Sequence, residues 1–350
     1  MISLTGFGYE KKLKNPSKLF EETWSQKSFI SGPKVKAFEK EFGKYCDKEC
    51  VAVSSCTSAL QLALLSLSVG PGDEVITTPY TWVSTVEVIR QVGAKVVFAD
   101  IKQDFTIDPV QVAKKITSKT KAIIVVDLFG QVCDMDAFLK LPVPIIQDAA
   151  QSTGAIYKAK RVGSIAHLTC FSFYPTKNLG CWGDAGAVTG LPEYLDQIRK
   201  LRNHGQSERF NILQVGWNAR MDSIQAEVLL NKLPHLDNWN KRRREIAHRY
   251  TSELNDIVVT PIVNADGLHV YHQYVIMSPH KEKIQEALAD KNIQSRTYYP
   301  IPLHHTETYM DKASYPNSEI ASVNGLAIPV HQYLTDKEVT LIIKTIRNAI

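Results

Sequence analysis

Ala122-Ile123-Ile124-Val125-Val126-Asp127-Leu128 and, further on, Pro144-Ile145-Ile146-Gln147 are almost continuously apolar. A strand with one wet face alternates apolar and polar residues, so unbroken runs of this length predict strands buried on both faces of a sheet. The same texture extends outward from them. Val51-Ala52-Val53 reads as a short strand and Ser58 to Leu67 as a helix, with Leu60, Ala63, Leu64 and Leu67 on one side and Gly70-Pro71-Gly72 as its stop. Glu74 to Thr78 reads as a strand, Val83 to Val92 as a helix and Lys95 to Ala99 as a strand. Leu168 to Phe173 and Ala187-Val188-Thr189 complete the series. Strands alternating with helices predict an α/β fold with a mostly parallel central sheet flanked by helices.

The texture changes near residue 230. A long polar-faced helix is expected over about 222 to 254, then a strand from Val270 to Met277. Ser278-Pro279 looks like a helix start, and Thr335-Asp336-Lys337-Glu338 is a capping box opening a last helix with Val339, Ile342, Ile343 and Ile346 on one side. These features predict a large domain over 1–230 and a smaller C-terminal α+β domain over 231–350.

Apolar residues make up 44% of the 350 residues and charged residues 22%, enough for a sizeable core. The net charge of +5 is mild, and the densest basic run, Lys241-Arg242-Arg243-Arg244, lies in a helical pattern, so a solvated helix face is expected and no nucleic-acid partner. The six cysteines form no C-x-x-C pair, which argues against a disulfide framework and a zinc site. Met1 to Lys14 shows no apolar leader core, and no apolar stretch approaches the ~20 residues that span a bilayer. A cytoplasmic setting with no membrane partner is the expectation.

In open α/β sheets ligands gather at the carboxyl ends of strands. Three groups stand there. Ser54-Ser55-Cys56-Thr57-Ser58 links a strand to a helix, where free backbone N–H groups and hydroxyls suit a phosphate, although such residues are also ordinary N-caps. Asp148 follows an apolar strand, where a carboxylate is costly without a partner; a protonated pyridine nitrogen would serve, and so would a helix N-terminus. Lys177 follows the aromatic strand and proline turn of Ser172-Phe173-Tyr174-Pro175-Thr176. A lysine amine forms a Schiff base with the aldehyde of pyridoxal 5'-phosphate (PLP), and an aspartate on the ring nitrogen is its usual companion. A single lysine is ordinarily a surface residue. The sequence of phosphate-type turn, strand-end Asp and strand-end Lys is what singles this one out.

The chain resembles the DegT/DnrJ/EryC1/StrS family of PLP-dependent sugar aminotransferases, which have the aspartate-aminotransferase (type I) fold, over nearly its whole length. The resemblance is carried by Phe29-Ile30-Ser31-Gly32-Pro33, Pro71-Gly72-Asp73-Glu74-Val75, Gln147-Asp148-Ala149-Ala150-Gln151, and Ser172-Phe173 leading to Lys177-Asn178-Leu179-Gly180. Gly183-Asp184-Ala185-Gly186-Ala187, Gly216-Trp217-Asn218-Ala219-Arg220-Met221 and Tyr299-Pro300-Ile301-Pro302-Leu303-His304 continue it in the family's order. It implies that Lys177 is the Schiff-base lysine and proton shuttle and Asp148 the pyridinium partner. It also implies that Gln151 bonds the ring hydroxyl, that Trp82 stacks on the cofactor, and that Thr57, Ser58 and Ser172 hold the phosphate. Asn218 matches a residue that reaches the neighbouring subunit's cofactor, which implies a homodimer with shared active sites. Arg220 and His304 are candidates for binding substrate; a structural ion pair is the other reading of Arg220. The chain departs from the family at Cys56, where glycine is usual before the phosphate-binding threonine. Some relatives carry histidine in place of the lysine and dehydrate; Lys177 favours transamination.

The implied reaction moves an amino group from an amino acid, by family habit L-glutamate, to a nucleotide-linked keto-deoxy sugar. The alternatives are the same chemistry on a free keto sugar, octulosonate or keto-cyclitol, and a non-catalytic binding or sensor protein that keeps the fold. A nicotinamide dehydrogenase is disfavoured, since no G-x-G-x-x-G follows the first strand.

Overall fold

A computed structural model describes residues 1–6 and 15–350. Of the segment Met1 to Lys14 read for a leader, residues 7–14 therefore lie outside the described residues. Seven strands form the main sheet: β1 Cys50–Val53, β2 Glu74–Thr77, β3 Lys95–Phe98, β4 Thr120–Val126, β5 Ile145–Asp148, β6 Leu168–Ser172 and β7 Gly186–Gly190. Their order is β1-β7-β6-β5-β4-β2-β3. All neighbours are parallel except β7, which runs antiparallel to both β1 and β6.

The apolar runs do what their pattern requires. Along β4, Ala122 and Ile124 enter one buried cluster while Ile123 and Val125 enter another on the opposite face. Successive side chains of a strand point to opposite faces, so a sheet covered by helices on both sides needs apolar residues at every position. Each such Ile or Val, fully buried, contributes roughly 1.5–3 kcal/mol. Helices α1 Cys56–Ser66 and α2 Ser84–Gln91 lie on one of these layers.

Beyond the sheet the chain continues through α3 Ser223–Lys232 and α4 Leu236–Leu254. The single long helix expected over about 222 to 254 is broken by a 3-10 turn at Leu233–His235. Pro234 is the cause: it has no N–H to donate and its ring crowds the carbonyl of the preceding turn. Next come β8 Tyr274–Met277, α5 Lys281–Asp290, α6 Pro316–Asn324, β9 Gly325–Ile328 and α7 Asp336–Ala349. A further cluster gathers Ile246, Tyr250, Leu254, Ile276, Ile284, Leu326 and Ile342, together with Ile2 from the other end of the chain. The α7 capping box is present, with the Thr335 side chain accepting from the Glu338 N–H and the Glu338 carboxylate accepting from Thr335 N–H.

Two local expectations are corrected. The strand expected from Val270 covers only Tyr274–Met277, because Val270 N–H donates to the Gly130 carbonyl and Tyr271 has a φ of 44°. Residues 270–273 are thereby drawn towards the main sheet instead of extending β8. Ser278 does not cap α5; its hydroxyl accepts from His280 N–H one turn early, and the helix begins at Lys281.

Candidate active site

Because β4, β5 and β6 are parallel and in register, Val126, Asp148 and Ser172 end at one edge of the sheet. Gly186 of β7 pairs with both Ser172 and Val53, which brings the start of α1 to the same edge. A Cβ at Gly186 would lie 2.5 Å from the Ser55 carbonyl, so only glycine lets the helix N-terminus approach this closely. A cavity of about 430 Å³ opens there, a volume usual for small-molecule sites.

Asp148, Lys177, Thr57, Trp82, Gln151 and Ser172 all line this cavity. Asp148 is buried at the end of β5. Its carboxylate accepts from Thr85 Oγ1 at 2.8 Å and from Ala150 N–H at 3.1 Å, with the Cys56 thiol 3.9 Å away. Burial raises its pKa; the Thr85 and Ala150 hydrogen bonds and the charge of Lys177 act in the opposite direction. Lys177 is half-buried, and loss of water around its amine lowers its pKa, opposed by Cys56 and Asp148.

The lysine's backbone is fixed on both sides. Lys177 N–H donates to the Tyr174 carbonyl at 2.9 Å, closing the proline turn. Asn178 donates to Asn240 Oδ1 at 2.8 Å and to the Val270 carbonyl at 3.0 Å, tying the turn to α4 and to the segment that ran short as a strand. At Gly180 a Cβ would collide with the Pro175 carbonyl, so the turn closes only on glycine.

Thr57 stands in the first turn of α1, its hydroxyl 2.9 Å from Ser84 Oγ. The amides of Cys56 and Thr57 have no acceptor within their own helix, as first-turn amides never do. Gln151 Oε1 is taken by Phe129 N–H at 2.6 Å, which aims Nε2 towards the cavity and Tyr299 Oη, 3.2 Å away. Trp82 is 59% exposed and leaves a broad aromatic face on the cavity wall, tilted against Tyr299.

Four of the expected residues lie elsewhere. The Ser58 hydroxyl turns away from the cavity to Ser54 Oγ at 2.9 Å and Ser55 Oγ at 3.1 Å, and its amide is held by Ser55 Oγ. Asn218 is exposed and accepts from Arg220 Nε at 3.0 Å. Arg220 also donates to Asn203 Oδ1 at 3.1 Å and lines a separate open groove with Arg199 and Arg202. His304 is fully buried, its Nε2 3.3 Å from Glu319 Oε1, and packs on Tyr315 outside the cavity.

Sequence reading missed Thr81, Thr85, His272, Gln273, Tyr298 and Tyr299 as cavity residues in their own right. Thr81 and Thr85 flank Trp82 at helical spacing, a signal that was available. His272, Gln273, Tyr298 and Tyr299 come from beyond residue 230, and nothing local marks them.

A buried carboxylate, a desolvated amine and hydroxyl-flanked helix amides around one slot suit a flat, basic, phosphorylated ring. The comparisons agree with that chemistry. A family model for the DegT/DnrJ/EryC1/StrS aminotransferase family matches residues 11–347. The chain belongs to the DegT/DnrJ/EryC1/StrS aminotransferase family. It is 37% identical to the UDP-2-acetamido-2-deoxy-3-oxo-D-glucuronate aminotransferase of Pseudomonas aeruginosa, covering 91% of this chain and 92% of the relative. It is 37% identical to the dTDP-3-amino-3,4,6-trideoxy-alpha-D-glucose transaminase of Streptomyces venezuelae, over 91% and 88%. Its structure superimposes on S. venezuelae DesV, solved in complex with a ketimine intermediate, with a TM-score of 0.93, 35% identity and coverage of 95% and 93%. The fold is that of the PLP-dependent sugar aminotransferases, and this family member is a PLP-dependent aminotransferase. Among the described residues no helix is long and apolar enough to cross a membrane, and the six cysteines are free and buried.

Proposed function

We propose that this protein transfers an amino group from L-glutamate to a nucleotide-linked keto-deoxy sugar, with Lys177 as the group that binds PLP covalently and then moves the proton. The observation that carries the proposal is the single cavity that holds Lys177, Asp148, Thr57, Gln151, Ser172 and the open face of Trp82. The donor set fits the cofactor part by part. Thr57, Ser172 and the free first-turn amides of α1 hold the phosphate; Ser58 supports that turn from behind through Ser54 and Ser55. Asp148 would keep the pyridine nitrogen protonated, Gln151 Nε2 would serve the ring hydroxyl, and Trp82 would supply an aromatic face for the ring.

Bound there, PLP supplies the electron sink for the negative charge left at the donor's α-carbon. Lys177 would take the proton from that carbon as the base, and its lowered pKa leaves more of the amine in the neutral form that can do so. Asp148, ionised against a cationic partner, holds the sink in its working state.

The acceptor class rests on the names of the relatives, which act on UDP- and dTDP-linked sugars. Asn218, exposed and outside its own chain's cavity, suits a contact with the cofactor of a second copy in a homodimer. Division into domains 1–230 and 231–350, and a cytoplasmic location, belong to the same reading. The test is spectroscopic. Protein loaded with PLP is yellow; L-glutamate should bleach the visible band, and one of a panel of keto sugar nucleotides should restore it. A band that glutamate leaves untouched contradicts the reading.

A further inference from the structure

A second cavity, of about 620 Å³, shares Tyr174, Thr176 and Tyr298 with the Lys177 cavity and so opens directly beside it. Its described lining includes one charged side chain, Arg296, and no carboxylate. The backbone of Arg296 is fixed by a two-way bridge to Ala327 of β9, with N···O distances of 3.1 and 2.8 Å. Its guanidinium makes no hydrogen bond or ion pair among the described residues. Arg161, Arg242 and Arg347, by contrast, are each paired with an aspartate; Arg296 is exposed, its guanidinium free to meet a ligand.

The neighbouring cavity explains why such a group is needed. Its charged lining is Lys177, Asp148 and Asp184. His272 also faces it, but burial lowers the pKa of that ring well below the usual value and leaves it neutral. Once Lys177 is committed to the cofactor, the cavity offers two carboxylates and no cation. An amino donor brings a carboxylate on the carbon that reacts, and a nucleotide-linked acceptor brings phosphates. Either anion needs a fixed positive partner, and a guanidinium meets both in a two-pronged geometry.

Resting on the functional reading above, we propose that Arg296 is the anion-binding group of this chain's substrate site, taking the donor's carboxylate or the acceptor's phosphate from the side groove. Two arms separate these sources. The first measures bleaching of the PLP-loaded protein by L-glutamate; the second measures binding of UDP and dTDP to the same protein by calorimetry. If the donor carboxylate is the ligand, Arg296→Gln raises the half-saturating glutamate concentration about tenfold or more, leaves the saturating rate nearly unchanged, and Arg296→Lys recovers part of the loss. If the phosphate is the ligand, glutamate dependence is unchanged and UDP or dTDP binding weakens by about the same factor. Unchanged behaviour in both arms, with the visible band and Tm of the unsubstituted protein, overturns the assignment. Failure of glutamate to bleach the unsubstituted protein is instead a failure of the functional reading, and the nucleotide arm still decides Arg296.

Discussion

At the scale of residues, Asp148 is pulled in two directions. Burial drives its carboxyl towards the neutral form, and Thr85, Ala150 and Lys177 hold it towards the ionised one. Thr85 is itself buried, with its Oγ1 3.0 Å from Thr81 Oγ1, so its one proton is directed at the carboxylate. Thr85→Val should slow the glutamate half-reaction about tenfold, the loss expected of one hydrogen bond to a charged group, and Thr85→Ser should recover most of it. Equal rates in stopped-flow traces of Thr85→Val and the unsubstituted protein would remove Thr85 from the account. Asp127, at the end of β4, behaves differently. It is buried, accepts from Gln147 Nε2 at 2.8 Å and Ser152 Oγ at 2.7 Å, and has its pKa raised by burial to about 7. A carboxyl whose folded pKa lies above its unfolded value stabilises the fold below the unfolded value and loses that contribution as pH rises through the folded one. Tm of the unsubstituted protein, measured relative to Asp127→Asn, should therefore fall between about pH 4 and about pH 7 and level off above. A constant difference would contradict the raised value. Lys177 and Asp148 were legible from their places at strand ends. The spacing of Thr85 from Thr81 could have placed it beside Trp82, but its bond to Asp148 was not legible, because that contact spans 63 residues of sequence.

Among the elements, the parallel strands were the most legible, since burial on both faces leaves no choice of residue along β4 and β5. The small C-terminal elements were less so. Val270 and its neighbours are apolar enough for a strand, yet the Gly130 carbonyl takes the Val270 amide and pulls His272 and Gln273 to the cavity. Pro234 was visible in the sequence, and its lack of an N–H breaks the helix there. The α7 capping box was read from four residues and is present. Thr335→Ala should cost about 1 kcal/mol of stability by denaturant unfolding without altering the visible band of the bound cofactor. The buried face of α7 packs into the cluster of Ile246, Ile284 and Leu326, away from the cavity, so a change in that band would contradict its placement. The side chains of Asn218 and Ser58 illustrate the limit of motif transfer: both match the family pattern in the sequence, but only the folded chain shows that one is exposed and the other turned away from the cavity towards Ser54 and Ser55.

For the whole molecule, one chain brings Lys177, Asp148, Thr57, Gln151, Ser172 and Trp82 to one cavity and leaves Asn218 outside it. If Asn218 serves a second copy, a mixture of Lys177→Ala and Asn218→Ala proteins, each weakly active alone, forms hybrid dimers with one intact site. Co-refolded in equal amounts, they should recover about a quarter of the unsubstituted activity, the fraction of sites that random pairing restores. No recovery, with dimers confirmed by sedimentation, would confine each site to its own chain. All of this depends on the lysine. Borohydride reduction of the PLP-loaded protein, followed by digestion and mass spectrometry, should place the phosphopyridoxyl group on the peptide containing Lys177 and leave Lys177→Ala unlabelled. Label fixed on any other lysine, or an equal yield of labelled protein from Lys177→Ala, would contradict the account.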